Sequence, residues 1–415
     1  MADSPEFTTL GSVVTRTGGA LQTGPFGSQL HASDYQPTGT PLIMPVNLGD
    51  NEVLEKGIAR IGATDAHKLR RHALRDGDII FSRRGDVGRR SLIRETETGW
   101  LCGTGCLAAR FGPRTEHVNP AYVAEYLGSN AAQTWLVDNA VGGTMPNLNT
   151  SILAALPILL LSKREQDRIV IALGDVQETI RTFERLIAKK QAIKQGMMQQ
   201  LLTGRTRLPN FGESWVKTTL GQLGVFLKGR GIRRDDVRAS GIPCIRYGEL
   251  YTEFVDYTAS TRSFVDHAVA NTALPLRSGD LLFAGSGETR AEIGICAAYI
   301  GDSPAVAGGD IIVLRGSVFN PVYLASLANT PAVVNQKSRA GQGDAVVHIN
   351  SRALAEITVS LPSRPEQDAI AKVLMDADQE IDLLRERLRK ARSVKTGMMQ
   401  QLLTGRTRLP VETAS

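Results

Sequence analysis

The stretch Gly196-Met-Met-Gln-Gln-Leu-Leu-Thr-Gly-Arg-Thr-Arg-Leu-Pro209 recurs without change as Gly397–Pro410, 201 residues later. The offset holds upstream without a gap. Glu165-Gln-Asp167 returns as Glu366-Gln-Asp368, and between Glu165 and Pro209, 23 of 45 positions are identical to their partners at +201. The two halves of the chain thus end on one shared segment, which predicts a molecule built with a pseudo-two-fold. Such a chain suits a partner with two-fold symmetry of its own, of which the duplex DNA backbone is the prime example.

Outward from this stretch the repeat weakens but persists. Asn119-Pro-Ala-Tyr122 matches Asn320-Pro-Val-Tyr323 at +201, Asp78–Phe81 matches Asp280–Phe283 at +202, and Thr40–Ile43 aligns with Ile242–Ile245 at +202. Thr8-Thr-Leu-Gly11 matches Thr218-Thr-Leu-Gly221 only at +210. Each half therefore reads as one globular segment followed by one helix. The globular segments diverge and the helices do not, the pattern of two modules doing one job on different ligands within a shared frame.

The helix is legible from its spacing. Ile169, Leu173, Val176, Ile180, Phe183 and Ile187 fall 4, 3, 4, 3 and 4 apart, a heptad seam with charged residues between. Ile370, Leu374, Ala377, Ile381, Leu384, Leu388 and Ala391 repeat it. Ser162 followed by Glu165 reads as a capping box, and Gly204 and Gly405 as the stops. From Glu165 to Leu202 the helix would be about 57 Å long at 1.5 Å per residue. One seam per helix and two helices per chain predict an antiparallel intramolecular pair; the alternative is that each packs on its own domain or on another subunit. In the globular segments, Pro41–Val46, Asp78–Phe81, Leu107–Phe111, Pro243–Arg246, Asp280–Phe283 and Gly309–Arg315 read as strands, and Pro120–Gly128 and Pro321–Leu327 as helices with Pro in the first turn. Ala154–Leu161 reads as extended.

A chain of 415 residues with 42% hydrophobic content makes two to four domains with ordinary cores. The net charge of +6 and a pI near 9.2 favour a polyanionic partner without requiring one. No apolar run reaches 18 residues, the N-terminus lacks a signal-peptide pattern, and the four cysteines have no framework spacing. A cytoplasmic protein with free thiols is the simplest expectation.

Catalytic signatures are missing. Gly224-Val-Phe-Leu-Lys-Gly229 lacks the Lys–Ser/Thr end of a phosphate loop. Asn119-Pro-Ala-Tyr122 and Asn320-Pro-Val-Tyr323 lack the second proline of an adenine-methyltransferase loop and read as an N-cap with a helix start. Gly103-Thr-Gly105 and Gly285-Ser-Gly287 read as turns, and Cys102 and Cys106 have no nearby ligands to complete a metal site. The expectation is no active site, no metal and no cofactor.

Basic residues cluster in the globular segments: Lys68, Arg70, Arg71 and Arg75; Arg83, Arg84, Arg89 and Arg90; and, in the second half, Lys228, Arg230, Arg233, Arg234 and Arg238, with Arg246 beyond. Arg and Lys near glycine-rich turns reach phosphates, and Arg forks read guanine; the plainer reading is a solvated charged face. The polar loops Gly142–Asn147 and Gly341–Asp344, each shortly before a long helix, are further candidates for groove contact or ordinary turns.

Three features make the chain resemble the specificity subunit of a type I restriction–modification enzyme. These are Gly24-Pro-Phe-Gly-Ser28 followed by Pro41–Asn47, the paired Glu-Gln-Asp helix starts, and the paired Met-Met-Gln-Gln-Leu-Leu-Thr-Gly helix ends. In the second half Gly229-Arg-Gly231 stands where the first has Gly24–Ser28. The resemblance implies an α+β, pseudo-two-fold chain. Target-recognition domains at 1–161 and 210–361 would each read one half of a bipartite, asymmetric DNA site, joined by two long antiparallel coiled-coil helices at 162–209 and 362–415 acting as a spacer. It implies no catalysis by this chain and no cofactor, with separate methyltransferase and restriction subunits as partners and no membrane. Candidate DNA contacts are Arg70, Arg71, Arg83, Arg84, Arg89, Arg90, Lys228, Arg230, Arg233, Arg234 and Arg246. The identical polar residues Gln199, Gln200, Arg205 and Arg207, with Gln400, Gln401, Arg406 and Arg408, predict docking sites for two copies of one partner, the methyltransferase subunit. The rival readings are a coiled-coil scaffold bridging proteins, and an enzyme fusing recognition with modification.

Overall fold

The computed structural model describes residues 5–26, 29–142, 145–344 and 346–409. Gly27 and Ser28 of the first glycine-containing element, Gly143 and Thr144 of the first polar loop, and Pro410 at the end of the repeat lie outside them. The chain divides into two compact units, Met1–Glu184 with Glu386–Ser415, and Arg185–Arg385.

In the first unit, Glu6–Thr9 pairs antiparallel with Pro157–Leu160, joining the unit's start to the strand before the long helix. A four-stranded antiparallel sheet follows the order Ala20–Thr23, Cys106–Arg110, Ile79–Ser82, Arg90–Leu92, and a three-stranded one the order Ala59–Ile61, Tyr35–Ile43, Leu101–Cys102. Ile79–Ser82 is buried on both faces, which is why Ile79-Ile-Phe81 is an apolar run without alternation. The second unit repeats this order. Val216–Thr219 pairs with Thr358–Leu361, and Val225–Lys228, Ile311–Arg315, Asp280–Ala284 and Cys296–Tyr299 form the larger sheet, extended at its edge by Tyr257–Thr258. Ser263–Val265, Ile242–Ile245, Val306–Ala307 and Leu274–Pro275 form the smaller one.

The shifting offsets acquire a meaning here. The Leu10 N–H donates to Leu156 O and the Leu220 N–H to Ile357 O, so the N-terminal strands correspond at +210. Gly24 donates to Cys106 O and Gly229 to Ile311 O, a correspondence at +205. At both glycines a Cβ would lie about 2 Å from a carbonyl, that of Gly103 or of Gly308, so no other residue fits. The stretch 154–161, expected to be extended throughout, is split. Thr150–Ala155 is a helix capped by the Asn149 side chain, and the strand begins at Pro157.

The long helices run Lys163–Leu201 and Arg364–Leu402. Each begins in one unit and ends in the other. Within the first unit Ile169 and Leu173 share a core with Leu402 and Leu403; within the second, Ile370 and Leu374 share one with Leu201 and Leu202. The pairing is antiparallel in each unit, marked by Arg392–Glu184 in the first and by Lys190–Glu380 and Lys194–Asp378 in the second. Seam residues near the helix starts are buried, whereas Phe183, Ile187, Leu384 and Leu388 are half-buried. Gly204 (φ 70°) and Gly405 (φ 69°) take the left-handed conformation that ends each helix. Among the described residues no helix is long and apolar enough to cross a membrane.

Candidate nucleic-acid interface

The motifs that repeat most faithfully touch one another. Gln166 Oε1 accepts the Asn119 N–H at 2.7 Å, and Asp167 accepts the Asn119 amide at 2.7 Å. In the second unit Gln367 accepts the Asn320 N–H at 2.9 Å and Asp368 the Asn320 amide at 2.7 Å. Asn119 and Asn320 in turn cap the helices starting at Pro120 and Pro321. The Asn-Pro-x-Tyr and Glu-Gln-Asp motifs are thus two sides of one joint between the globular segment and the long helix, with Gln166 and Gln367 buried.

Glu165 and Glu366 complete the joint from the other helix's tail. In the second unit Arg207 grips Glu366 with two bonds of 2.6 Å, and the carboxylate is almost wholly buried. Trp215 lies under the guanidinium at 5.7 Å. In the first unit Arg408 meets Glu165 at 3.5 Å, and Glu165 accepts the Ser162 N–H and hydroxyl, so of the expected capping box the glutamate half forms while the serine hydroxyl donates to the carboxylate. This revises the reading of the identical tails. Arg207 and Arg408 have an intramolecular partner that is itself repeated, and this accounts for their identity. Gln200 and Gln401 also bond within the tail, to Thr206 and Thr407. Gln199, Arg205, Gln400 and Arg406 remain exposed.

The cationic candidates separate by environment. Arg90 is a correction: it is buried on the strand Arg90–Leu92, where Nε donates to Ala124 O at 2.9 Å and Nη2 to Asp50 at 2.9 Å. It pins a helix end and has no surface to offer a duplex. Arg246 is half-buried against Glu249. Arg83 and Arg89 are half-buried and Arg84 is exposed. The loop after Val141 folds back on this turn, through Leu148 N–H to Arg83 O and Gly85 N–H to Pro146 O. The second unit does the same, with Ile349 N–H to Gly285 O, and Arg290 donating to Gly341 O and Gly343 O. Arg290, which sequence reasoning passed over, fastens that loop.

A second corner lies beyond the edge strands Ala20–Thr23 and Val225–Lys228. In the first unit the turn Arg70–His72 packs beside it: Gln22 Nε2 donates to Arg71 O, and Arg71 Nη2 to Gln29 Oε1. Arg71 Nε–H donates to His72 Nε2 at 3.0 Å, which places the ring proton on Nδ1. Burial, with Arg71 and Arg110 nearby, pushes His72 down to about 4, so the ring is neutral near neutral pH. Arg70 and Arg71 are exposed. In the second unit Lys228, Arg230, Arg233 and Arg234 are exposed in the loop after the edge strand. Among the described residues no group of His, Cys, Asp and Glu could hold a metal ion.

Residues 212–392 match the family described as the type I restriction modification DNA specificity domain. The chain is similar to two specificity subunits of Methanocaldococcus jannaschii. It is 22% identical to that of the type I restriction enzyme MjaVIII over 296 residues, 67% of this chain and 68% of the relative. It is 24% identical to that of the putative type I enzyme MjaX over 400 residues, 89% and 88% of the two. Among solved structures, the S subunit of a type I restriction–modification system from M. genitalium aligns with a TM-score of 0.60 at 15% identity, covering 96% of each chain. A chain from a structure of type I complex assembly and conformational transition aligns at 0.57 with 16% identity, over 97% and 98%. These structural likenesses show the fold.

Proposed function

We propose that the chain is a specificity subunit of a type I restriction–modification system, which recognises a bipartite, asymmetric DNA target and brings methyltransferase and restriction subunits to it. As a specificity subunit it is a non-catalytic component of the complex. The segments 1–161 and 210–361 act as the target-recognition domains, one for each half of the site, and the protein works in the cytoplasm. The observation behind this reading is that two units of one topology present exposed cations from non-equivalent segments, on frames whose joints are the same residue by residue. Identical frames with different loops suit two different base sequences, because base edges are read by side chains while phosphate contacts only position.

A domain exchange tests it. Replacing residues 1–161 by the equivalent segment of a relative, and mapping methylated bases in cells carrying the assembled system, should change one half of the modified sequence only. A swap that altered both halves would sink independent readout.

A further inference from the structure

The two units place positive charge at one corner of the fold from opposite sides of the same contact. The correspondence at the edge-strand loops is fixed by Gly24 and Gly229, as described above. The facing turn is fixed by its pairing with the next strand: Ala73 bridges Leu101, and Pro275 pairs with Val306, with Leu101 and Val306 themselves 205 apart. Arg70 and Arg71 therefore stand where the second unit has Thr272 and Ala273. The contact itself is retained, since a Cβ on Gly231 would come within 2.6 Å of Thr272 Oγ1. Where the second unit's loop carries Arg230, the first has Pro25. The arginine has moved across the contact while the corner has kept its charge. A charge needed only for solubility has no reason to return to one corner by a different route.

The first unit's arginine is also aimed. The neutral, buried His72 accepts from Nε, so the guanidinium plane is held at its inner edge while the side chain stays exposed. The fork is held along its Nε–Nη2 edge by His72 and Gln29, which leaves Nη1 and the second Nη2 hydrogen to meet O6 and N7 of guanine end-on. A phosphate can meet the same fork, and the sequence dependence of the loss on substitution separates the two. We propose that this corner enters the DNA groove in both units, with Arg71 and Arg230 each reading a guanine in its own half-site and His72 as the positioning residue for Arg71.

This rests on the DNA-reading function proposed above, and the experiment separates the two. The chain assembled with its modification subunits is used to select duplexes from a randomised library. A wild-type complex that selects no sequence would defeat the function itself. Given a two-part sequence, Arg71→Ala should relax one G·C position in one half by about ten- to a hundred-fold and leave the other half unchanged. Arg230→Ala should do the same in the other half. His72→Leu should reproduce the Arg71→Ala profile, while His72→Gln, whose amide oxygen can still accept from Nε, should retain the wild-type one. A merely structural role for His72 would lower recovery of all sequences alike and leave the profile intact. If Arg71→Ala and Arg230→Ala weaken binding equally for every sequence, the corner contacts phosphates and the proposal fails. It fails equally if neither variant alters selection.

Discussion

Lys337 shows how far one residue can stand from what its type suggests. It lies on the helix Pro331–Ala340, is fully buried, and has as its described bond a donation from Nζ to Gly294 O at 2.5 Å. The titratable group acting on it is the buried Cys296 thiol. Burial pushes the amine down to about 8. The corresponding residue of the first unit, at −201, is the equally buried Leu136, so the fold does not require an amine there. The unfolded chain binds the proton more tightly than the folded one. The destabilisation is therefore fully present below about pH 8 and is relieved as pH rises toward the ordinary lysine value. Lys337→Leu should raise stability at pH 7 by about 1–2 kcal/mol, the gain being reduced by the unpaired Gly294 carbonyl. It should also abolish the rise in stability between about pH 8 and 10. Denaturant titrations across that range measure both, and a destabilised variant with an unchanged pH slope would refute the account.

At the scale of elements, the repeated joint is built to one plan but closed with different strength. Arg207 grips a buried Glu366 carboxylate with two bonds, whereas the half-exposed Arg408 meets Glu165 at 3.5 Å. Removing Arg207 strands the buried Glu366 carboxylate, whereas removing Arg408 loosens a longer contact to a carboxylate that keeps its bonds from Ser162. Arg207→Ala should therefore lower the melting temperature strongly and Arg408→Ala scarcely. Adding Glu366→Leu to Arg207→Ala should recover much of the loss, since the stranded charge is then gone. Equal effects of the two single substitutions would show that the joints are equivalent after all. The helices themselves were legible because their seam is periodic; Glu165–Leu202 was the sequence expectation and Lys163–Leu201 is the helix. The edge strand Tyr257–Thr258 was not, because two residues carry no period.

For the whole molecule, the duplication bears on assembly. With Arg207 and Arg408 engaged inside the chain, Gln199, Arg205, Gln400 and Arg406 are among the exposed repeated residues. We propose these as the surfaces for two methyltransferase subunits. Arg406, with Gln400 and Thr404, lines a cleft of about 750 Å³ in the first unit, floored by the start of the helix Asn130–Asn139. Native mass measurement should find two modification subunits per chain. Arg205→Glu and Arg406→Glu should each release one copy, and the double variant both. A one-to-one complex, or two copies retained by the double variant, would remove these residues from the interface.

The sequence by itself determined what depends on period and identity. It set the two long helices, their antiparallel seam, and the caps at Asn119 and Asn320. These are local patterns, or copies of one pattern, and need no knowledge of which segments meet. The tertiary structure alone decided which members of a cluster are available. Arg84 and Arg90 read alike in one basic run, yet Arg84 is exposed in a loop while strand pairing carries Arg90 into the interior beside Ala124. It alone showed that Glu-Gln-Asp and Asn-Pro-x-Tyr repeat together because they bond to each other across 47 and 48 residues. It alone brought Arg71 to the loop that corresponds to the one holding Arg230. Burial and contact between distant segments are set by how the sheets close, and no single stretch of sequence encodes that.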